Sequence, residues 1–404
     1  MAVTRWAEGL ASSFAKMRFT EDGARPLGAL GDTTQQPEFG TMIAMGGACA
    51  SLWSASSVTI LDGEFVNNTA AGAAMNWGGS VGSVGGHVFV EATHFRNNSA
   101  VGGYHAAGGA LYCIFCDLHV SRDTEFARNE AVCLSPDWLP ATLAASGLTL
   151  HGMFAQGGAL FLHSTTATIQ STRFVANVAQ DALRVAAAGA IFLTIDSELV
   201  LADCWLESNE ARDSDRFCGG GAIKIESSAR LVINTTTFKS NAAKFGKHTT
   251  GGGAIEVDGA SVVLGAGVHF VENFATNLHT SMSQYVSGGA IRIHNPPATL
   301  TAVEGPSFLK NLCNGTDPNG GAITIDGDMR LEFATFVSNS VIADFESGGG
   351  GGAIAVLAGS SSLKGCSFIG NMHVSKGPGR SGGALFVSSN GKVGPFESLL
   401  RIDE

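Results

Sequence analysis

Gly220-Gly221-Ala222-Ile223-Lys224-Ile225 opens a stretch that continues through Leu231-Val232-Ile233 and Thr236-Thr237-Phe238 to Asn241-Ala242-Ala243. Side chains alternate between faces along a strand, so Gly221, Ile223 and Ile225 point one way and Ala222, Lys224 and Glu226 the other. Leu231 with Ile233, and Thr236 with Phe238, repeat the alternation, and the small residues after Asn241 turn the chain away. The reading is three short strands per unit. Such a unit cannot bury its apolar face alone, which predicts a stack of similar units.

The pattern recurs along most of the chain. Starts of the Gly-Gly-Ala kind run from Gly47-Ala48 to Gly383-Ala384, and Phe-x-x-Asn finishes run from Phe65/Asn68 to Phe368/Asn371, most of them close to 32 residues apart. About ten coils of an all-β, right-handed parallel β-helix of the pectin-lyase-like kind are expected over residues 41–396. An N-terminal segment or cap precedes them at 1–40, and a tail follows at 397–404. Trp6, Leu10, Phe14 and Met17 fall at helical spacing, which predicts a short amphipathic helix in the N-terminal segment. Two spacings exceed the repeat, placing insertions at Cys133 to Phe154 and at Asn277 to Val286. Extra residues in a stacked coil bulge outward from a corner, where binding loops are usually found.

Composition agrees with short strands and tight corners: 45% of the 404 residues are hydrophobic, 15% are charged and 54 are glycine. The glycines keep no Gly-X-Y period, which excludes collagen. A net charge of −11 argues against nucleic acid, whose phosphates require a basic face, and equally against an anionic membrane surface. No apolar run is long enough for a transmembrane helix. The first forty residues lack the apolar core of a signal peptide, and no membrane anchor is read from the chain.

Equivalent positions of successive coils stack about 4.8 Å apart. Ile191, Ile223, Ile255, Ile291, Ile323 and Ile354 should form an inward aliphatic column, and Phe238, Phe270, Phe308, Phe336 and Phe368 an aromatic one. The asparagines Asn68, Asn98, Asn129, Asn177, Asn209, Asn241, Asn273, Asn311, Asn339 and Asn371 should form a side-chain amide ladder along the axis, a structural rather than a ligand-binding role. The other face of the first strand carries Tyr112, Phe161 and Phe192, followed by Lys224, Glu256 and Arg292. Read as outward-facing, the three charges give surface pairs worth roughly 0.2–1 kcal/mol each. The three aromatics give a binding stripe, or a surface that the neighbouring insertion folds over. Together with Trp138 in the first insertion, Tyr112, Phe161 and Phe192 are the candidate binding residues.

The paired Gly-Gly-Ala-Ile and Phe-x-x-Asn motifs resemble the polymorphic outer membrane protein repeat of chlamydiae. Cys204-Trp205-Leu206 and Cys366-Ser367-Phe368 keep that family's Cys two positions before the aromatic position, while Thr93, Thr124, Thr172 and Thr236 replace it. The resemblance covers Gly46 to Leu385. It implies a right-handed parallel β-helix displayed at a cell surface, on an outer membrane or outside the cell, acting as the passenger of an autotransporter and as an adhesin. A protein or glycan at a cell surface is the partner implied.

Several parallel β-helices cleave polysaccharides, so enzymatic chemistry is the competing expectation. A glycosidase needs two carboxylates about 5–9.5 Å apart across one groove, and the outward column offers only Glu256 between Lys224 and Arg292. Glycine runs such as Gly348 to Gly352 lack the Lys-Ser/Thr of a phosphate loop. Cys113-Ile114-Phe115-Cys116 has zinc-ligand spacing without a second pair, which favours buried thiols over a metal site. The sequons at Asn67 and Asn97 sit immediately before the asparagine column, where access is expected to be poor. The expectation is a non-enzymatic surface or adhesion scaffold without cofactor or metal; a carbohydrate-active β-helix enzyme is the alternative.

Overall fold

The computed structural model describes residues 11–15, 18–20, 23–24, 43–52, 57–71, 75–102, 104–133, 154–277, 285–343, 350–375, 381–394 and 401–403. The chain is a parallel β-helix of right-handed type. Across residues 49–319 each coil carries five short strands where the sequence pattern predicts three; farther on, Ile354–Lys364 spans the first two positions. In the central coil they are Ile223–Glu226, Arg230–Asn234, Thr237–Lys239, Ala242–Gly246 and Thr249–Gly251. Every strand pairs in parallel with its counterpart in the next coil: Ile223 with Ile255, Leu231 with Val262, Phe238 with Phe270, Ala243 with Ala275 and Thr250 with Val286. The third strands stack twelve deep, the fourth eleven and the fifth nine.

At the N-terminal end, Ala11–Ala15 is a strand paired in parallel with Ser57–Leu61, Phe14 opposite Ile60. This replaces the amphipathic helix expected there; Trp6, Leu10 and Met17 lie outside the described residues. Arg401–Asp403 adds a rung to the third-strand sheet by pairing with Ser367–Ile369.

The Gly-Gly pair of each coil answers two separate demands. Gly220 has φ 64°, a left-handed turn that a side chain disfavours. Gly221 has no such φ, but a Cβ there would run into the carbonyl oxygen of Gly253 in the next coil. Inside, the Ile column and the Phe column are fully buried. The rings stack in parallel from Phe65 through Phe95 and Phe126 to Phe174, and again from Phe238 to Phe368, with centroids 4.7–5.0 Å apart. Leu206 interrupts the series.

At the corner after each third strand the chain passes through a left-handed residue into the asparagine column. Ser240 (φ 53°) before Asn241 and Glu272 (φ 56°) before Asn273 are two instances. Asn241 donates from its backbone N–H and from Nδ2 to the Oδ1 of Asn273, each at 3.0 Å, while its Nδ2 also donates to the Leu206 carbonyl at 2.9 Å. Its own Oδ1 accepts the equivalent pair of bonds from Asn209. Both amide hydrogens and the oxygen are therefore satisfied without water, as a buried amide requires. The ladder continues unbroken from Asn68 to Asn371.

The fourth and fifth strands enclose a second, narrow core of small residues, among them Ala100, Ala131, Ala155, Ala179, Ala186 and Cys218. Side chains of this size let the two layers approach closely, and their weak hydrophobic alternation is why these strands escape a sequence reading. Both insertions enter between a fourth and a fifth strand. Glu130–Cys133 and Phe154–Gln156 flank the first and remain paired with the next coil.

Candidate ligand-binding face and the enclosed polar column

The fifth strand folds back over the first. Its cover converts the column read as outward into an interior one. Tyr112, Phe161 and Phe192 are only 2%, 4% and 1% exposed, packed against Ala107, Ala187 and Ala188. Their rings stack at 4.9 and 5.3 Å, and Trp77 extends the stack onto Tyr112 at 4.7 Å. These residues therefore form no exposed binding stripe. The cover is the regular fifth strand, and the stacking adds about 0.5–1.5 kcal/mol per pair beyond burial. Trp138 lies outside the described residues.

The charges that follow are enclosed as well. The Glu256 side chain is fully buried and Lys224 nearly so, with Lys224 Nζ 3.4 Å from Oε2 of Glu256. Arg292 Nη1 lies 3.0 Å and His294 Nε2 3.2 Å from Oε1 of the same carboxylate. The Phe217 ring, from the fifth strand, sits 4.3 Å from the Lys224 ammonium and 5.6 Å from the Arg292 guanidinium. The expectation of exposed surface pairs is corrected here: this is a desolvated network, whose loss on removing one partner is far larger than that of a surface pair. Space for it comes from Gly219 and Gly251, where a Cβ would strike Glu256 and Arg292 respectively. Burial pushes Glu256 up, yet Lys224, His294 and Arg292 outweigh it and hold the carboxyl below its ordinary range.

At the margin of this column stand Glu226 and Asp258, paired across adjacent coils. Burial raises Glu226, against the pull of Lys224. Asp258 Oδ1 accepts from Asn295 at 2.7 Å and lies 3.9 Å from His294 Nδ1. In this arrangement Glu256 has no route to solvent, and its oxygens are already bonded to cations.

A long open face lies on the second strands. In strict register, one residue per coil, Thr59, Phe89, His119, Thr168, Val200, Val232, Val263, Thr301, Arg330 and Ser362 line the centre of one continuous solvent-facing sheet. At about 4.8 Å per coil the row is on the order of 45 Å long. Phe89 and His119 stack at 5.1 Å. Polar pairs between adjacent coils flank the row: a His87–Asp117 hydrogen bond at 3.2 Å, and ion pairs of Arg122 with Glu91 and of Arg230 with Glu198, each at 2.5 Å. Toward the C-terminal end a hollow is lined by Leu300, Met329 and Val393 together with Thr301, Asp328, Arg330, Ser362 and Lys392. A second hollow opens beside the row at Gly86, His87, Phe115, Cys116, Asp117 and Thr166.

The outward row was legible in principle. Reading Leu231 and Ile233 as inward makes Val232 outward, and the same register gives Val200 and Val263. The sequons also differ from expectation, since Asn67 and Asn97 are exposed while the ladder residues after them are buried. Among the described residues no group of three or more His, Cys, Asp or Glu side chains is placed to hold a metal ion, and no helix is long and apolar enough to cross a membrane. No family model and no curated protein matches the chain.

Proposed function

We propose that the chain is a non-enzymatic β-helix scaffold that binds an elongated protein or glycan at a cell surface through the outer face of its second strands. One observation carries the reading: an uninterrupted row of ten solvent-facing residues, apolar at Val200, Val232 and Val263, flanked by charged pairs and ending in a hollow lined by apolar, hydroxyl and charged side chains together. Such a face offers an extended ligand a repeated contact every coil, with the apolar centre supplying area and the polar margins register. The enclosure of Glu256 supports the non-enzymatic half, and the resemblance of the paired motifs to an adhesin repeat supports the surface setting.

The test is adhesion to cells and to a glycan array by the parent, by a Val200→Asp/Val232→Asp variant and by Arg330→Ala, with circular dichroism as the check on folding. The expected result is folded variants with binding lost or reduced by at least about tenfold. Unchanged binding by both folded variants, with loss only when residues 134–153 are shortened, would move the site to the insertion. Release of reducing or unsaturated ends from polygalacturonate or alginate would overturn the non-enzymatic reading.

A further inference from the structure

Cys113 and Cys116 meet at the corner between a first and a second strand, Leu111–Ile114 and Asp117–Ser121. Phe115 between them has φ 54° and is 64% exposed, so the chain turns sharply outward at Phe115 while both neighbouring thiols point inward. Both side chains face the same interior at this corner, and Cys116 Sγ lies 3.5 Å from the carbonyl of Ser83, the residue paired with Cys113 in the preceding coil. In the following coils the same two positions hold Leu162 with Thr165, Leu193 with Ser197 and Ile225 with Ala229. Thr165 and Ser197 use their hydroxyls to cap corner carbonyls, and Cys116 makes the corresponding contact from Sγ to the Ile114 oxygen at 3.2 Å.

What distinguishes this coil is access. Gly86 holds the position stacked against Cys116 in the preceding coil and supplies no side chain, and the hollow beside His87, Phe115 and Asp117 reaches Cys116. Cys113, one layer deeper, has no exposed surface. An outer thiol beside a hollow, backed by a buried thiol three residues away at the same corner, is the arrangement that thiol–disulfide exchange requires.

We propose that Cys113 and Cys116 form a reversible dithiol–disulfide site that exchanges with low-molecular-weight disulfides admitted through this hollow. Cys116, as thiolate, attacks one sulfur of the small disulfide; that S–S bond breaks and one thiolate leaves, taking a proton from solvent. Cys113 then gives its proton to solvent and attacks Sγ of Cys116, expelling the second small thiol. Two cysteine thiols are oxidised to one disulfide, and one small disulfide is reduced to two thiols. The order of attack follows from depth, and charge agrees with it: the neighbouring Cys113 is the main influence lowering Cys116, while burial pushes Cys113 up.

The experiment treats the folded full chain with oxidised glutathione, quenches with acid, digests with trypsin and weighs the peptides. Residues 97–122 form one tryptic peptide holding Cys113 and Cys116 and no other cysteine. The expected product is that peptide lighter by two hydrogens, formed at least about tenfold faster than any modification of Cys204 or Cys366 and reversed by dithiothreitol. In Cys113→Ser the expected product is a stable glutathione adduct on Cys116. Should that variant fail to fold, the parent's rates relative to Cys204 and Cys366 still decide the matter. The proposal is overturned if peptide 97–122 reacts no faster than the others, if the parent stops at the glutathione adduct, or if oxidation appears only once the β-type circular dichroism is lost.

Discussion

Gly219 and Glu256 face each other across adjacent coils so closely that a Cβ on Gly219 would overlap Oε2 of the buried carboxylate. The missing side chain is what lets the fifth strand close over a charged column. Gly219→Ala must therefore shift a carboxylate already held by Lys224, Arg292 and His294, or lift the covering strand. A loss of about 1–3 kcal/mol in urea unfolding is expected, the usual cost of overpacking. Gly383→Ala is the control. A Cβ there meets only the Asn371 oxygen at 3.8 Å. Equal melting temperatures for the two variants would contradict the enclosed geometry.

Glu256→Gln leaves the Lys224 ammonium and Arg292 guanidinium beneath the fifth strand with no carboxylate between them. A destabilisation of about 3–5 kcal/mol is expected, as for other buried pairs that lose one partner. Replacing Lys224, Glu256 and Arg292 together by Met should recover most of that loss, because the three charges most fully removed from water leave together, with Glu226 at the margin free to take up a proton. A triple variant less stable than Glu256→Gln would show that the column contributes something beyond charge balance.

Glu226 sets a pH dependence of opposite sign to that of Glu256. Because burial raises Glu226 in the folded state, its favourable contribution is present below the ordinary value of 4.5 and is lost as pH rises through the raised folded value. Glu226→Gln should therefore melt higher than the parent at pH 7, with the advantage shrinking as the pH falls toward that ordinary value. For Glu256, lowered when folded, stability is held above 4.5 and lost as pH drops through the lower folded value. Thermal melts of parent and Glu226→Gln across pH 3–8 test both signs; an advantage for Glu226→Gln that grows with acid would refute the first.

Asn241→Ala removes one rung of the ladder. The backbone N–H and Nδ2 of Asn209 lose their acceptor, and the Leu206 carbonyl loses a donor. Each unsatisfied buried group costs about 1–3 kcal/mol, so the total should exceed any single hydrogen bond. Asn371→Ala should cost less, because Asn371 is partly exposed and water can replace it. Comparable losses at the two positions, read by chemical denaturation, would mean that the ladder is not the source of the stability at this corner.

Much of the fold follows from the chain alone, because the inward columns are large and strictly repeated. Ile223 and Ile255, Phe238 and Phe270, Asn241 and Asn273 recur at one period, and period-two alternation sets their faces. Residue order is thus enough to specify a stack of coils with an aliphatic column, an aromatic column and an amide ladder. What covers the other side of the first strand emerges only in the folded chain. The covering strands Phe217–Gly219 and Thr249–Gly251 are three residues long and rich in glycine, so they carry no hydrophobic alternation to read. Alternation reports that Lys224 and Glu256 point away from the aliphatic column. Whether that direction leads to water or to a second layer depends on a chain reversal at Gly220 and Gly252, and on the space that Gly219 and Gly251 leave behind. The same limit explains Tyr112, Phe161 and Phe192: a row of aromatics looks alike in one dimension whether a partner or the chain's own fifth strand covers it, and here the strand does.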